Sequence, residues 1–307
     1  MQALLFPGLD ALFVTSKMKR WLPYDYIKKS FQRSSQVLSE LTGQNEDLET
    51  FLITTHRPHL VDLDRTLIAL TTLQVAVAQE LANRNFSWNL IQGCSHGDIA
   101  RSVLCNSIDL EKAIHIMWNF SSLRKMLPEG MTCTVRTQDG SPLTAEQKNW
   151  LSSFAAPISQ WSTEHGTIGT DLETLKSIQA ESKNQNLKIK EMLPFPVHSS
   201  TLKPVFELLR ATSSLWPVEN PKVSTFSSVW LRDLITAEDI VNEALAGAVE
   251  PVLWCETLEH LYHQKGIRSF INVGPSNTLT SWLFNNKAYQ DLQLLDAWEL
   301  LGNAKNE

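Results

Sequence analysis

Between Thr66 and Arg84 the segment TLIALTTLQVAVAQELANR places Leu70, Leu73, Val77 and Leu81 at helical spacing, which predicts an amphipathic helix. Phe86–Gln92 (FSWNLIQ) follows as a short apolar run ending at Gly93 and reads as a buried strand. Ile99–Cys105 is apolar and contains alanine, as expected of a helix that starts just after Gly97. Helix, strand, tight glycine turn and helix are α/β grammar and call for a parallel sheet. The periodicity then changes. Met131–Thr137 (MTCTVRT) alternates in the strand manner, Ala145–Phe154 is helical, and Ile158–Thr170 reads as one strand or a hairpin. Asp171–Ser182 is helical, and Leu187–Met192 (LKIKEM) alternates again. That β-α-β-α-β order predicts a small α+β subdomain inserted into a larger one. Helices at Thr201–Thr212, Ala237–Ala246 and Trp254–Lys265 and a buried strand at Ser269–Val273 (SFINV) then return the chain to the first sheet.

Composition narrows the function class. The chain has 307 residues, 43% of them hydrophobic, with ten Trp and twelve Phe, enough for a substantial core in one large domain carrying an insert. A net charge of −6, from 27 basic and 33 acidic residues, argues against a partner bound through its phosphate backbone, so no nucleic acid is expected. No apolar run approaches the ~18–20 residues of a membrane span. The N-terminal MQALLFPGLDALFV looks briefly like a signal core, but Asp10 interrupts it and Lys17, Lys19 and Arg20 follow the apolar run instead of preceding it. Cys94, Cys105, Cys133 and Cys255 show neither paired nor metal-type spacing. A soluble, cytoplasmic enzyme without a bound metal or cofactor is the expectation.

Candidate chemistry centres on Gly93-Cys94-Ser95-His96-Gly97. This is G-x-S-x-G between an expected strand and an expected helix, the setting of a nucleophile elbow. The helix that follows aims its N-terminal N–H groups at an oxyanion formed there. A five-residue match also fits an ordinary turn between glycines, so the flanking elements carry the argument. A serine nucleophile needs a base, and eight histidines compete. His56 and His59 lie in a polar loop, His115 within an apolar helix and His165 in the insert. His260 and His263 share a helix face but lack an obvious third metal ligand. His96 adjoins Ser95 and so points elsewhere, toward the lining of a pocket, and His198 sits where the chain leaves the insert. Spacing does not choose among them.

The motifs QGCSHGD, LFPG near the N-terminus, PFPVHSSTLKP and PVLWCETL…INVGPSNTLTSWL occur in the order found in malonyl-CoA:acyl carrier protein transacylases and polyketide synthase acyltransferase domains. The resemblance runs from Leu5 to about Leu283. It implies an α/β-hydrolase-like large subdomain with a parallel sheet (1–130 and 193–307) and an inserted ferredoxin-like small subdomain (131–192). It implies Ser95 as acyl-accepting nucleophile and His198 as general base. The backbone N–H groups of Leu9 and His96 would form the oxyanion hole, and the carbonyl near Gly247 would orient the imidazole in place of a carboxylate. Substrates would be acyl-CoA or acyl-phosphopantetheine thioesters, the partner an acyl carrier protein, and the route a ping-pong transfer through acyl-serine.

The sequence departs from that family at informative places. Leu9 stands where Gln is usual, Cys94 where His precedes the nucleophile, and Asp98 where Glu follows the second glycine. The arginine that pairs with the carboxylate of malonyl groups is missing. Counting from Ser95 its place holds Phe120, and counting back from Pro128-Glu129-Gly130 it holds Asn119, with Arg124 one helical turn further on. Trp161 falls near the family's Asn-rich strand, and Val197 beside His198. An acyl pocket of Phe120, Asn119, Arg124, Trp161 and Val197 would favour an apolar or larger acyl group over a dicarboxylate. Acyl-carrier-protein hydrolysis on the same dyad, ordinary malonyl transfer through Arg124, and a weakly active carrier-binding module are the competing readings. Lys17–Lys29 (KMKRWLPYDYIKK), the densest basic segment, is the candidate contact for an acidic carrier, against a plain solvated helix face. A monomer suffices for all of this.

Overall fold

The computed structural model describes residues 1–8, 15–124, 126–213, 215–284 and 286–302. The chain runs through β1 (Gln2–Phe6), α1 (Asp25–Thr42), α2 (Leu63–Asn83), β2 (Leu90–Gly93), α3 (Gly97–Leu104) and α4 (Leu110–Arg124). It continues through β3 (Met131–Thr137), α5 (Ala145–Ser153), β4 (Ser159–Gln160), β5 (His165–Thr170), α6 (Leu172–Glu181) and β6 (Leu187–Leu193). It returns through α7 (Lys203–Ser213), β7 (Thr225–Phe226), β8 (Asp233–Leu234), α8 (Ala237–Val249), α9 (Trp254–His263), β9 (Ser269–Asn272) and β10 (Gln293–Asp296).

The larger sheet has the order β10-β9-β1-β2-β7-β8, parallel throughout except for the β7–β8 pair. Successive β1 residues point to opposite faces. Leu4 and Phe6 join Ile91 and Ile271 under α1–α4, whereas Ala3 and Leu5 join Leu90, Phe270 and the α9 residues Trp254, Leu258 and Leu261. A strand covered on both faces is a continuous apolar run, and that is why this N-terminal stretch imitates a signal core. The helix expected to be amphipathic is buried far more fully. In α2 the positions Ile68 to Ala78 are all buried, because α1, α3 and α4 all pack on it. The strand expected from Phe86 begins only at Leu90; Asn85, at φ 62°, turns the chain, and Phe86 and Trp88 pack on the core from a loop.

The second sheet is antiparallel, in the order β4-β5-β3-β6. With α5 and α6 this β-α-β-β-α-β unit has ferredoxin-like topology, and Ile158–Thr170 is a hairpin. Its core gathers Cys133, Val135, Leu151, Ile168 and Leu175.

The joint between the two sheets positions the site. Thr132 Oγ donates to the Phe195 carbonyl at 2.6 Å and accepts the Val197 N–H at 2.9 Å. A Cβ built on Gly169 of β5 would lie 2.1 Å from the Val197 carbonyl oxygen, so only glycine lets this segment lie so close. On its other side Ser199 N–H donates to the Ala248 carbonyl of α8 at 3.2 Å. His198 is thereby held between the small sheet and α8.

Candidate active site

Ser95 sits in the turn from β2 into α3 with φ 55°, a left-handed conformation that costs a non-glycine residue about 1–3 kcal/mol. Three glycines make the turn possible. A Cβ on Gly93 would lie 2.6 Å from the backbone N of Asp98, one on Gly97 2.1 Å from the Phe6 carbonyl oxygen, and one on Gly8 2.5 Å from the Cys94 carbonyl oxygen. The Gly97 conflict is with backbone at the end of β1, where Phe6 also accepts the Cys94 N–H at 3.0 Å. Gly97→Ala is therefore expected to destabilise the fold by about 1–3 kcal/mol or more, read from denaturant unfolding; an unchanged midpoint would contradict the tight elbow.

The Ser95 hydroxyl lies 2.9 Å from His198 Nε2. His198 is 7% exposed, and its Nδ1 hydrogen-bonds the Gly247 carbonyl. A carbonyl only accepts, so Nδ1 carries the proton and the Nε2 lone pair faces the serine O–H. Burial pushes the His198 pKa down to about 4, only partly offset by the Gly247 hydrogen bond. The imidazole is consequently neutral, and ready to accept a proton, throughout the physiological range. His198 is itself at φ 53°, so both partners are held in unfavourable backbone conformations.

The other expected residues distribute unequally. His96 turns its ring away from Ser95 toward α2, with Nε2 3.0 Å from Thr71 Oγ and 3.1 Å from the Leu67 carbonyl. Its pKa also falls to about 4 through burial. It caps α3, a position whose main-chain N–H has no acceptor within the helix. Leu9 lies outside the described residues, and so does the side chain of Arg124, whose backbone closes α4. Phe120 and Val197 line a cavity of about 320 Å³ that opens from Ser95 and His198. Phe120 meets Phe206 and Trp216 there at ring-centroid distances of 6.2 and 5.8 Å. Two expectations need correction. Asn119 is exposed and is not part of the cavity wall, because adjacent helical residues point about 100° apart and Phe120 takes the inward direction. Trp161 is also not part of that wall. It lies edge-on to the His198 ring at 6.1 Å, with its indole N–H on Thr167 Oγ at 3.0 Å, and covers the base instead of the acyl pocket.

Sequence reasoning missed a charged group in the same wall. Arg101 of α3 is fully buried, with Nη1 3.0 Å from Asp98 and 2.7 Å from Glu243 of α8. Burial raises the Asp98 pKa toward about 7, against the pull of Arg101. The i, i+3 spacing of Asp98 and Arg101 was the available signal. His115, His165 and His263 are exposed, and His260 stacks on Phe226 at 4.6 Å. Among the described residues no cluster of His, Cys, Asp and Glu is suited to a metal ion, and no helix is long and apolar enough to cross a membrane. In the basic segment, Trp21 is buried and packs on Trp298 at 4.7 Å, while Lys17, Arg20, Lys28 and Lys29 are exposed.

No protein-family model matches the sequence, and a search of curated proteins gives no match. Solved structures do match over essentially the whole chain. The malonyl-CoA:acyl carrier protein transacylase of Coxiella burnetii superposes with a TM-score of 0.84 at 22% identity, covering 99% of this chain and 96% of its own. The corresponding enzyme of Streptococcus pneumoniae gives 0.82 at 19%, covering 100% of both chains. A malonyl-transacylase solved with its type II polyketide synthase acyl carrier protein gives 0.82 at 20%, covering 100% of this chain and 99% of its own. The chain is thus similar to these transacylases in fold, a parallel α/β body with a ferredoxin-like insert, and carries its Ser95–His198 pair at the joint between the two.

Proposed function

We propose that the protein is a ping-pong acyltransferase that moves a non-carboxylated acyl group from a CoA or carrier-protein thioester to the phosphopantetheine thiol of an acyl carrier protein. The observation that carries this reading is the 2.9 Å contact between Ser95 Oγ and His198 Nε2 at the head of an apolar cavity into which Phe120 projects. The fold likeness supports the reaction class. The neighbour solved with its acyl carrier protein supports the partner, with exposed Lys17, Arg20, Lys28 and Lys29 as the surface that would meet an acidic carrier. Four buried cysteines that form no disulfide suit a reducing, cytoplasmic compartment.

In this reading His198 takes the Ser95 proton as the oxygen attacks the thioester carbonyl. The tetrahedral oxyanion faces the His96 N–H, and collapse expels the donor thiolate, which recovers the proton from His198. The carrier's thiol then gives its proton to His198 and attacks the acyl-serine, and His198 returns that proton to the departing Ser95 oxygen. Phe120 faces the acyl chain where the transacylases carry an arginine, and Arg101 in the same wall is buried and already paired with Asp98 and Glu243, so a malonyl carboxylate placed against Phe120 would be desolvated at a cost of several kcal/mol.

The test is transfer to holo carrier protein from malonyl, acetyl and longer acyl thioesters. Neutral acyl groups are expected to transfer about 10²-fold faster than malonyl, as a penalty of about 3 kcal/mol implies. Malonyl preference would overturn the substrate assignment. Release of free acid in the presence of carrier would make the protein a hydrolase.

A further inference from the structure

Most of the cavity that opens from Ser95 and His198 is walled by carbon. Ala113, Ile116, Phe120 and Leu123 recur at steps of three and four along α4 and so share the face that lines it. Phe206 and Leu209 of α7 join them, with Trp216 and Val218 of the loop that follows. The buried polar side chains of the wall are engaged within the protein. Arg101 pairs with Glu243, Ser102 Oγ donates to the Asp98 carbonyl at 2.7 Å, and His198 serves Ser95. Phe120, Phe206 and Trp216 are each only half-buried, although all three are large apolar rings. Covering their open faces with hydrocarbon is favourable.

The rings also shape what covers them. Phe120 lies 6.2 Å from Phe206 and 5.8 Å from Trp216, the separation of aromatic pairs in direct contact. No slot remains between them for a flat aromatic acyl group, whereas a flexible alkyl chain follows their surface. The loop that carries Trp216 is tied down. Glu219 N–H donates to the Ser107 carbonyl and Lys222 N–H to the Cys105 carbonyl, both at 2.7 Å, which fastens it to the turn that ends α3. A fixed wall sets a limit of length. The cavity of about 320 Å³ has room for about ten non-hydrogen atoms at the roughly 30 Å³ that a water molecule takes in the liquid, or about eight carbons once the ester end beside Ser95 is allowed for.

We propose that this apolar pocket makes linear medium-chain acyl groups, of about eight carbons, the preferred substrates, with Phe206 and Trp216 as the residues that set chain length. This rests on the acyltransferase reading above. The test follows acylation of the wild-type protein by intact mass, with CoA thioesters of acetate, butyrate, hexanoate, octanoate, dodecanoate, benzoate and malonate. The second-order rate is expected to rise about threefold to fourfold per methylene from acetyl, as burial of a methylene implies. It should peak at hexanoyl or octanoyl, with dodecanoyl slower. Equal rates along the series, or a maximum at any other ester, would overturn the chain-length assignment while leaving acyl transfer intact. Acylation by none of the esters would overturn the acyltransferase reading and the assignment with it. Trp216→Ala should move the maximum to dodecanoyl. An unmoved maximum, with every ester slowed in proportion, is the mark of a purely structural role and would overturn Trp216 as the end of the pocket. If that variant does not fold, Phe206→Leu should move the maximum the same way, and the wild-type series decides the chain length alone.

Discussion

Ser95→Ala is expected to abolish covalent acylation and to lower transfer to a carrier protein by about 10⁴-fold or more, because a serine–base pair loses nearly all its function with either member. The fold should survive the change. Ser95 sits in the elbow because Gly8, Gly93 and Gly97 let three backbone segments approach, not because its hydroxyl holds them there. That hydroxyl's hydrogen bond is to His198, at 2.9 Å. An unfolding midpoint near wild type together with lost acylation is the expected pair of results. Undiminished transfer would show that the nucleophile lies elsewhere. Cys94 does not stand in for it, since that thiol is buried and precedes the elbow residue.

His198→Ala is expected to slow acylation by about 10³-fold, within the range of general-base catalysis. The pH dependence makes the prediction specific. The base works only when neutral, and burial sets its pKa at about 4. The wild-type acylation rate should therefore stay level as the pH falls from neutrality through 6.5 to 5, and decline only as the pH nears 4. The Gly247 carbonyl stabilises the imidazolium less than a carboxylate would, which keeps the pKa low. A midpoint near 6.5 would mean that the ring is solvated in the working protein. The remaining acid limb should vanish in His198→Ala.

How legible the protein was in its sequence depends on whether a pattern repeats. Met131–Thr137 and the strand from Leu187 alternate over several residues, and the structure has both. Thr225–Phe226 and Asp233–Leu234, two residues each, exist only through their neighbours in the sheet and leave no periodic trace. β1 was hidden by its own burial, because a strand covered on both faces loses its alternation. At the site, the G-x-S-x-G turn announced Ser95, while His198 was singled out by resemblance and not by spacing. Arg101 escaped because a charged residue in a short helix reads as solvent-facing. Only the tertiary fold, in which the Arg101 side chain reaches across to α8, brings it to Glu243 at 2.7 Å. Asn119 and Trp161 were misplaced for a common reason: a residue's position along an element does not give the direction of its side chain.

The most direct measurement is intact mass of the wild-type protein after brief incubation with an acyl thioester, followed by peptide mapping of the adduct. An acyl group on the peptide containing Ser95, discharged when holo carrier protein is added, is the result expected of the Ser95–His198 pair. An adduct on any other residue, or none with any thioester of the panel, would contradict it.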